Sequence, residues 1–103
     1  MLNLEKYADL QKKRDKNKKK CYKTILKNIN TIIEKNMDNL MDHIIYEAPL
    51  FIIGELDYDM LESIDYITKK MLNDKNFSQI LVDVKFIEPN ILYVQWNLDK
   101  LKK

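Results

Sequence analysis

Between Leu4 and Ile33 the chain contains neither glycine nor proline, and apolar residues return at helical spacing: Leu4, Tyr7 and Leu10, then Tyr22, Ile25, Ile29 and Ile32. A stretch without helix breakers predicts one long helix. Between Leu10 and Cys21 the stripe lapses, because every residue from Gln11 to Lys20 is polar. That portion has no apolar seam to bury, so it is expected to project beyond the globular body or to lie against something charged.

The helical pattern continues over Thr31 to Tyr46 through Met37, Leu40, Met41, Ile44 and Ile45. Asn36 to Asn39 is the expected bend or break, since Asn and Asp bond the nearby backbone in competition with the helix. Pro49 should end the helix near Glu47, and Leu50-Phe51-Ile52-Ile53 before Gly54 reads as a short buried strand. Asp59 with Glu62 fits a capping box, and Asp57 with Leu56 packing on Leu61 fits a stapled start. The helix that follows, to Asn73, should bury Met60, Leu61, Ile64, Ile67, Met71 and Leu72.

From Phe77 to Ile87 the period drops to two, with Ile80, Val82, Val84 and Phe86 on one side. Glu88-Pro89-Asn90 is a turn, and Ile91 to Trp96 is the returning arm of a hairpin, with Leu92, Val94 and Trp96 on one face. Asn97 to Lys103 reads as a helical turn or a frayed tail. The sum is an α+β fold: a long N-terminal helix, bent or split near Asn36, then strand-helix-strand-strand, with helices covering a three-stranded sheet. One domain, 1–103, is expected, with a basic helical extension over 1–33 and a globular part over 34–103.

The net charge of +2 conceals a segregation. Residues 1–33 carry ten bases and three acids (+7), residues 34–66 carry one base and nine acids (−8), and residues 67–103 carry seven bases and four acids (+3). Such a molecule is electrically polar, and its field steers association without dictating fold. The densest part is the run Lys12, Lys13, Arg14, Lys16, Lys18, Lys19 and Lys20, followed by Lys23. On a helix these residues lie at too many angles to form one face.

Cys21 and His43 are the only cysteine and histidine, which excludes an internal disulfide and a cysteine/histidine metal site. The opening residues Met1 to Lys6 lack the apolar run of a signal peptide, and no stretch approaches the length of a spanning helix, so a cytoplasmic protein without a membrane is expected. Cys21 lies among lysines that would lower its pKa, yet its only candidate base, His43, is 22 positions on. A half-buried apolar role for Cys21 and a helix-surface or core-edge place for His43 are the readings adopted. Asp57, Asp59 and Glu62 could in principle coordinate a divalent cation, but the calcium-loop pattern fails at Leu61 and lacks its glycine. One glycine also rules out a glycine-rich phosphate loop. No catalytic residue, metal or cofactor is called for, and the protein is read as a non-enzyme.

The lysine run remains open to several readings: a solvated helix face, a contact for phosphates with little sequence preference, or a docking element for an acidic protein or another copy of the chain. With a single arginine, sequence-specific base readout is poorly supplied. The reading adopted is a protein-protein interaction module docking through the basic helix, with nonspecific nucleic-acid binding as the alternative.

Tyr46-Glu47-Ala48-Pro49-Leu50-Phe51, Gly54-Glu55-Leu56-Asp57-Tyr58-Asp59, Tyr66-Ile67 and Pro89-Asn90-Ile91-Leu92-Tyr93-Val94-Gln95-Trp96 together resemble a small uncharacterised family of nucleocytoplasmic large DNA viruses. That resemblance implies a basic N-terminal helix, a Tyr-x-x-Pro stretch, a glycine turn, a short helix and a terminal strand ending in Trp. Asn76 departs from it, at a place where the family has a glycine. It further implies a protein made in the infected host cell, in its cytoplasm or in the virion, as a minor virion component or a small subunit of a viral complex. It supplies no catalytic residue.

Overall fold

In a computed structural model that describes residues 4–101, helix α1 runs unbroken over Leu4–Asp38, 35 residues. It is followed by strand β1 (His43–Glu47), a loop, helix α2 (Met60–Asn73), a short 3-10 turn (Phe77–Gln79), strands β2 (Leu81–Ile87) and β3 (Ile91–Trp96), and a closing 3-10 turn (Leu98–Leu101). Residues 1–3 and 102–103, the ends of the expected extension and tail, lie outside the described residues. At 1.5 Å per residue α1 is about 52 Å long, which accounts for most of the 65 Å long axis of a molecule only 26 × 20 Å across.

The sheet is antiparallel with β3 in the middle, in the order β1-β3-β2. Two cross-strand rows face the helices: Ile44–Val94–Val84 and Tyr46–Leu92–Phe86. Tyr22, Ile25, Ile29 and Ile33 of α1 and Ile64, Ile67 and Met71 of α2 pack on this face with Ala48, Ile80 and Trp96. Both helical stripes therefore share one core. The half of α1 from Tyr22 onward belongs to that core, while Leu4 to Asn17 is exposed throughout.

The expected break near Asn36 is the end of α1. Asn36 is held there by its own side chain, whose Nδ2 donates to the His43 carbonyl at 3.2 Å. Met41 N–H returns to Asn36 O at 2.9 Å and Leu40 N–H to Met37 O at 3.0 Å, the paired bonds of a Schellman cap. Ile44 and Ile45, assigned to a helix from spacing, are in β1, and His43 opens that strand instead of lying on a helix. Met37, Leu40, Met41, Ile44 and Ile45 imitate a helical stripe, but beyond the cap the inward series is Ile44, Tyr46, Ala48, with period two.

The third strand is thus β1 and not Leu50 to Ile53. Ala48 N–H donates to Asn90 O at 2.8 Å and Asn90 Nδ2 donates to Ala48 O at 2.9 Å, which ends the pairing with the hairpin turn; Pro49 has no donor to extend it. The following apolar run leaves the sheet and is exposed apart from Ile52. In β2 a bulge between Leu81 and Asp83 reverses the parity of the strand. Leu81, Val84 and Phe86 accordingly pack on the core, and Val82, expected inside, is exposed.

Leu40 carries φ 62 at the position of the cap where glycine is usual. Its side chain makes no compensating contact, being 90% exposed. Leu40→Gly should therefore stabilise the fold by about 1 kcal/mol, seen as a rise in Tm of roughly 4–8 °C in thermal unfolding.

Candidate docking surface

α1 passes the N-terminus of α2 at Tyr22. Asp59 is the N-cap of α2, and its carboxylate accepts from Glu62 N–H at 3.0 Å, as the sequence predicts. Glu62 does not complete the box. The Asp59 N–H donates instead to Tyr22 Oη at 3.2 Å, and Tyr22 Oη lies 3.4 Å from the Asp59 carbonyl, to which it donates. Tyr22 also meets Tyr58 edge-on at 6.2 Å and Tyr66 at 5.8 Å. Tyr58 Oη donates to Pro49 O at 2.7 Å, so the same cluster fixes one end of the loop between β1 and α2. The expected staple of Leu56 on Leu61 is absent, both side chains being exposed, as is Leu72.

This junction sets the fate of the basic run. Arg14 Nε donates to Asp57 Oδ1 at 2.9 Å and Lys18 Nζ to Glu62 Oε2 at 3.2 Å. Arg14 and Lys18 are one turn apart, on the side of α1 that faces the acids. The hydrogen bond to Glu62 is the main reason that the Lys18 ammonium is held above its usual pKa. Of the two expectations for the polar stretch, Arg14 and Lys18 meet the second, lying against acids of the same chain. Lys12, Lys13, Lys16, Lys19, Lys20 and Lys23 are exposed and form no ion pair among the described residues. Leu4, Tyr7 and Leu10, further out on the arm, are exposed as well.

Between the helices lies an open groove of about 590 Å³ whose walls include Lys18, Lys19, Tyr22, Glu62, Tyr66 and Lys70. Lys69 pairs with Asp65 at 2.9 Å, and the Lys70 ammonium sits 5.5 Å from the centre of the Tyr66 ring. These α2 residues were missed as neighbours of the basic run. Their spacing, Glu62, Asp65, Tyr66, Lys69, Lys70 and Asn73, marks one polar helical face and was the available signal.

The candidate chemical groups do not converge. Asp57 is taken by Arg14, Asp59 by the cap and Glu62 by Lys18. His43 Nδ1 lies 2.8 Å from Asp42 Oδ1, holding that carboxyl below its usual range, and the ring stacks near Tyr93 at 5.8 Å on the sheet face turned away from the helices. Cys21 is half-buried; burial, with the charge of Glu55 second, raises its pKa, against the lowering expected from its lysine neighbours. Among the described residues no three His, Cys, Asp or Glu side chains group as metal ligands, and no helix is long and apolar enough to cross a membrane.

Three measurements follow from this cluster and from Tyr46. Tyr22→Phe keeps the ring packing and removes both bonds to Asp59, so unfolding should show a loss of about 1 kcal/mol. Burial pushes the Tyr46 phenol up to about 12 and raises Tyr22 and Tyr58 above 10.0. A folded pKa above the unfolded one gives stability that is complete below pH 10 and lost as pH rises toward 12. Denaturant melts across that window should show the decline, and tyrosinate absorbance should show Tyr46 ionising late.

No curated protein and no solved structure matches the chain. A family model does match, over residues 2–72, a span that includes the arm of α1, β1, the exposed loop and nearly all of α2. The chain therefore belongs to DUF5759, a family of unknown function.

Proposed function

We propose that the protein is a non-enzymatic interaction module that docks onto an acidic protein surface through the exposed arm of α1, residues 4–20. The carrying observation is the combination on one rod of an uncovered apolar stripe, Leu4, Tyr7 and Leu10, with Lys12, Lys13, Lys16, Lys19 and Lys20, which form no ion pair among the described residues. Apolar anchors ringed by charge are how protein interfaces are built. A phosphate-tracking surface is supported less well: Asp15 interrupts the basic run and Glu5 and Asp9 precede it on the same arm, Asp57 already holds the one arginine, and Tyr22 is packed in the core. The resemblance to proteins of large DNA viruses extends the proposal to a small subunit of a viral assembly in the host cytoplasm or virion.

Capture of host-cell proteins by the tagged chain, with and without nuclease, tests this reading. Capture should survive nuclease and fall about tenfold or more for Tyr7→Asp with Leu10→Asp, since two apolar anchors are lost. Lys12, Lys13, Lys16 and Lys19 changed together to Gln should weaken it most at low salt, with the difference from the wild type shrinking as salt rises. Loss of capture on nuclease treatment, with salt-sensitive retention on duplex DNA that the Gln variant abolishes, would instead establish the nucleic-acid alternative.

A further inference from the structure

The loop between β1 and α2 exposes four large apolar side chains, Leu50, Phe51, Ile53 and Leu56, at 64% to 99%. It is not a slack segment. Ile52 turns inward onto the core, and Glu55 N–H donates to Ile52 O at 3.0 Å across a turn whose third residue, Gly54, has φ 87. No other residue of that turn has positive φ, so it is a type II turn, which requires such a glycine. Tyr58 Oη on Pro49 O braces one end, and Arg14 on Asp57 braces the other. The four apolar groups are thus presented on a held turn, a feature that marks an interaction site.

The rim of this turn is acidic. Glu47 and Glu55 are exposed and form no ion pair among the described residues, within a segment of charge −8 over residues 34–66. An anionic membrane would be repelled, and the fitting occupant is an apolar stripe on a cationic helix. The chain carries such an element itself: Leu4, Tyr7 and Leu10 at helical spacing, followed by Lys12, Lys13 and Lys16. Within one copy it leaves its own loop uncovered, both sets of side chains being exposed. α1 is continuous from the core through Leu4, so the arm runs outward past the Arg14–Asp57 bridge. That bridge shows the two charge patterns matching within one copy. Leu10 stands one turn beyond Arg14 and Leu56 adjoins Asp57, so arm and loop form one continuous surface on either side of it.

We infer that the chain forms a twofold dimer in which the Leu4, Tyr7 and Leu10 stripe of each copy lies on the Leu50, Phe51, Ile53 and Leu56 turn of the other. The arm lysines of one copy then face Glu47 and Glu55 of the second. A twofold axis beside the Arg14–Asp57 bridge makes this exchange reciprocal and closed. The inference rests on the arm being a docking element and names its partner.

Sedimentation velocity on the full chain over a range of concentrations tests it. The wild type should dimerise, and Phe51→Asp with Ile53→Asp should raise the dissociation constant by about tenfold or more while leaving the circular dichroism spectrum of the folded chain unchanged. A charge exchange adds specificity. Lys12→Glu with Lys13→Glu and Lys16→Glu, or Glu47→Lys with Glu55→Lys, should each give monomers, and mixing the two variants should restore the dimer. A wild type that stays monomeric, or a dimer indifferent to the loop substitutions, overturns the inference. If the wild type is monomeric while the arm substitutions still abolish nuclease-resistant capture of host protein, the arm docks on something else, and only the self-association is lost.

Discussion

The burial of one face of α1, from Tyr22 to Ile33, is the contact on which the remainder of the structure hangs. Ile29 is fully buried, and its neighbours in the stripe meet both the inner face of the sheet and the buried face of α2. A sheet of three strands cannot cover its own inner face, and a 14-residue helix alone would leave part of it wet. α1 completes the roof. It also supplies, through Tyr22, the hydroxyl that bonds the first cap residue of α2, so packing of one helix and initiation of the other are a single event.

Electrostatics follows from that placement. Docking Tyr22 against Asp59 draws the basic flank of α1 over the acidic start of α2, where Arg14 and Lys18 find Asp57 and Glu62. Exposed pairs of this kind contribute little to stability. Their consequence is local: they engage two of the basic residues, while the remaining lysines of the run and the outer apolar stripe stay turned toward solvent. The molecule ends up with a cationic rod at one end and an acid-rimmed apolar turn beside its root.

Much of this fold was legible in the sequence because its signals were local. The Asp59 and Glu62 spacing located the N-cap, Pro89 and Asn90 located the hairpin, and Leu92, Val94 and Trp96 announced the buried face of β3, all as found. The errors arose where two periodicities overlap or where position in space decides. Ile44 and Ile45 extend a helical stripe numerically, but Leu40 has already left the helix. Leu50 to Ile53 has the composition of a buried strand, yet β1 takes the place beside β3, which no local pattern foretells. Val82 is turned out by a bulge, a one-residue event invisible to alternation. For the basic run, the sequence named each base from Lys12 to Lys23 but could not say that Arg14 and Lys18 would be the two answered from 43 or 44 residues away.

The unbroken backbone of α1 has a thermodynamic consequence for the arm. An isolated helix of that length would be marginal in water, because starting a helix costs far more than lengthening one. Here the start is made in the core, and residues 4–17 are lengthening steps on a turn already formed. They can remain ordered with no hydrophobic cover of their own. Whatever seats on the arm therefore meets a surface whose ordering entropy was spent during folding, and less of the contact energy is consumed at the moment of association.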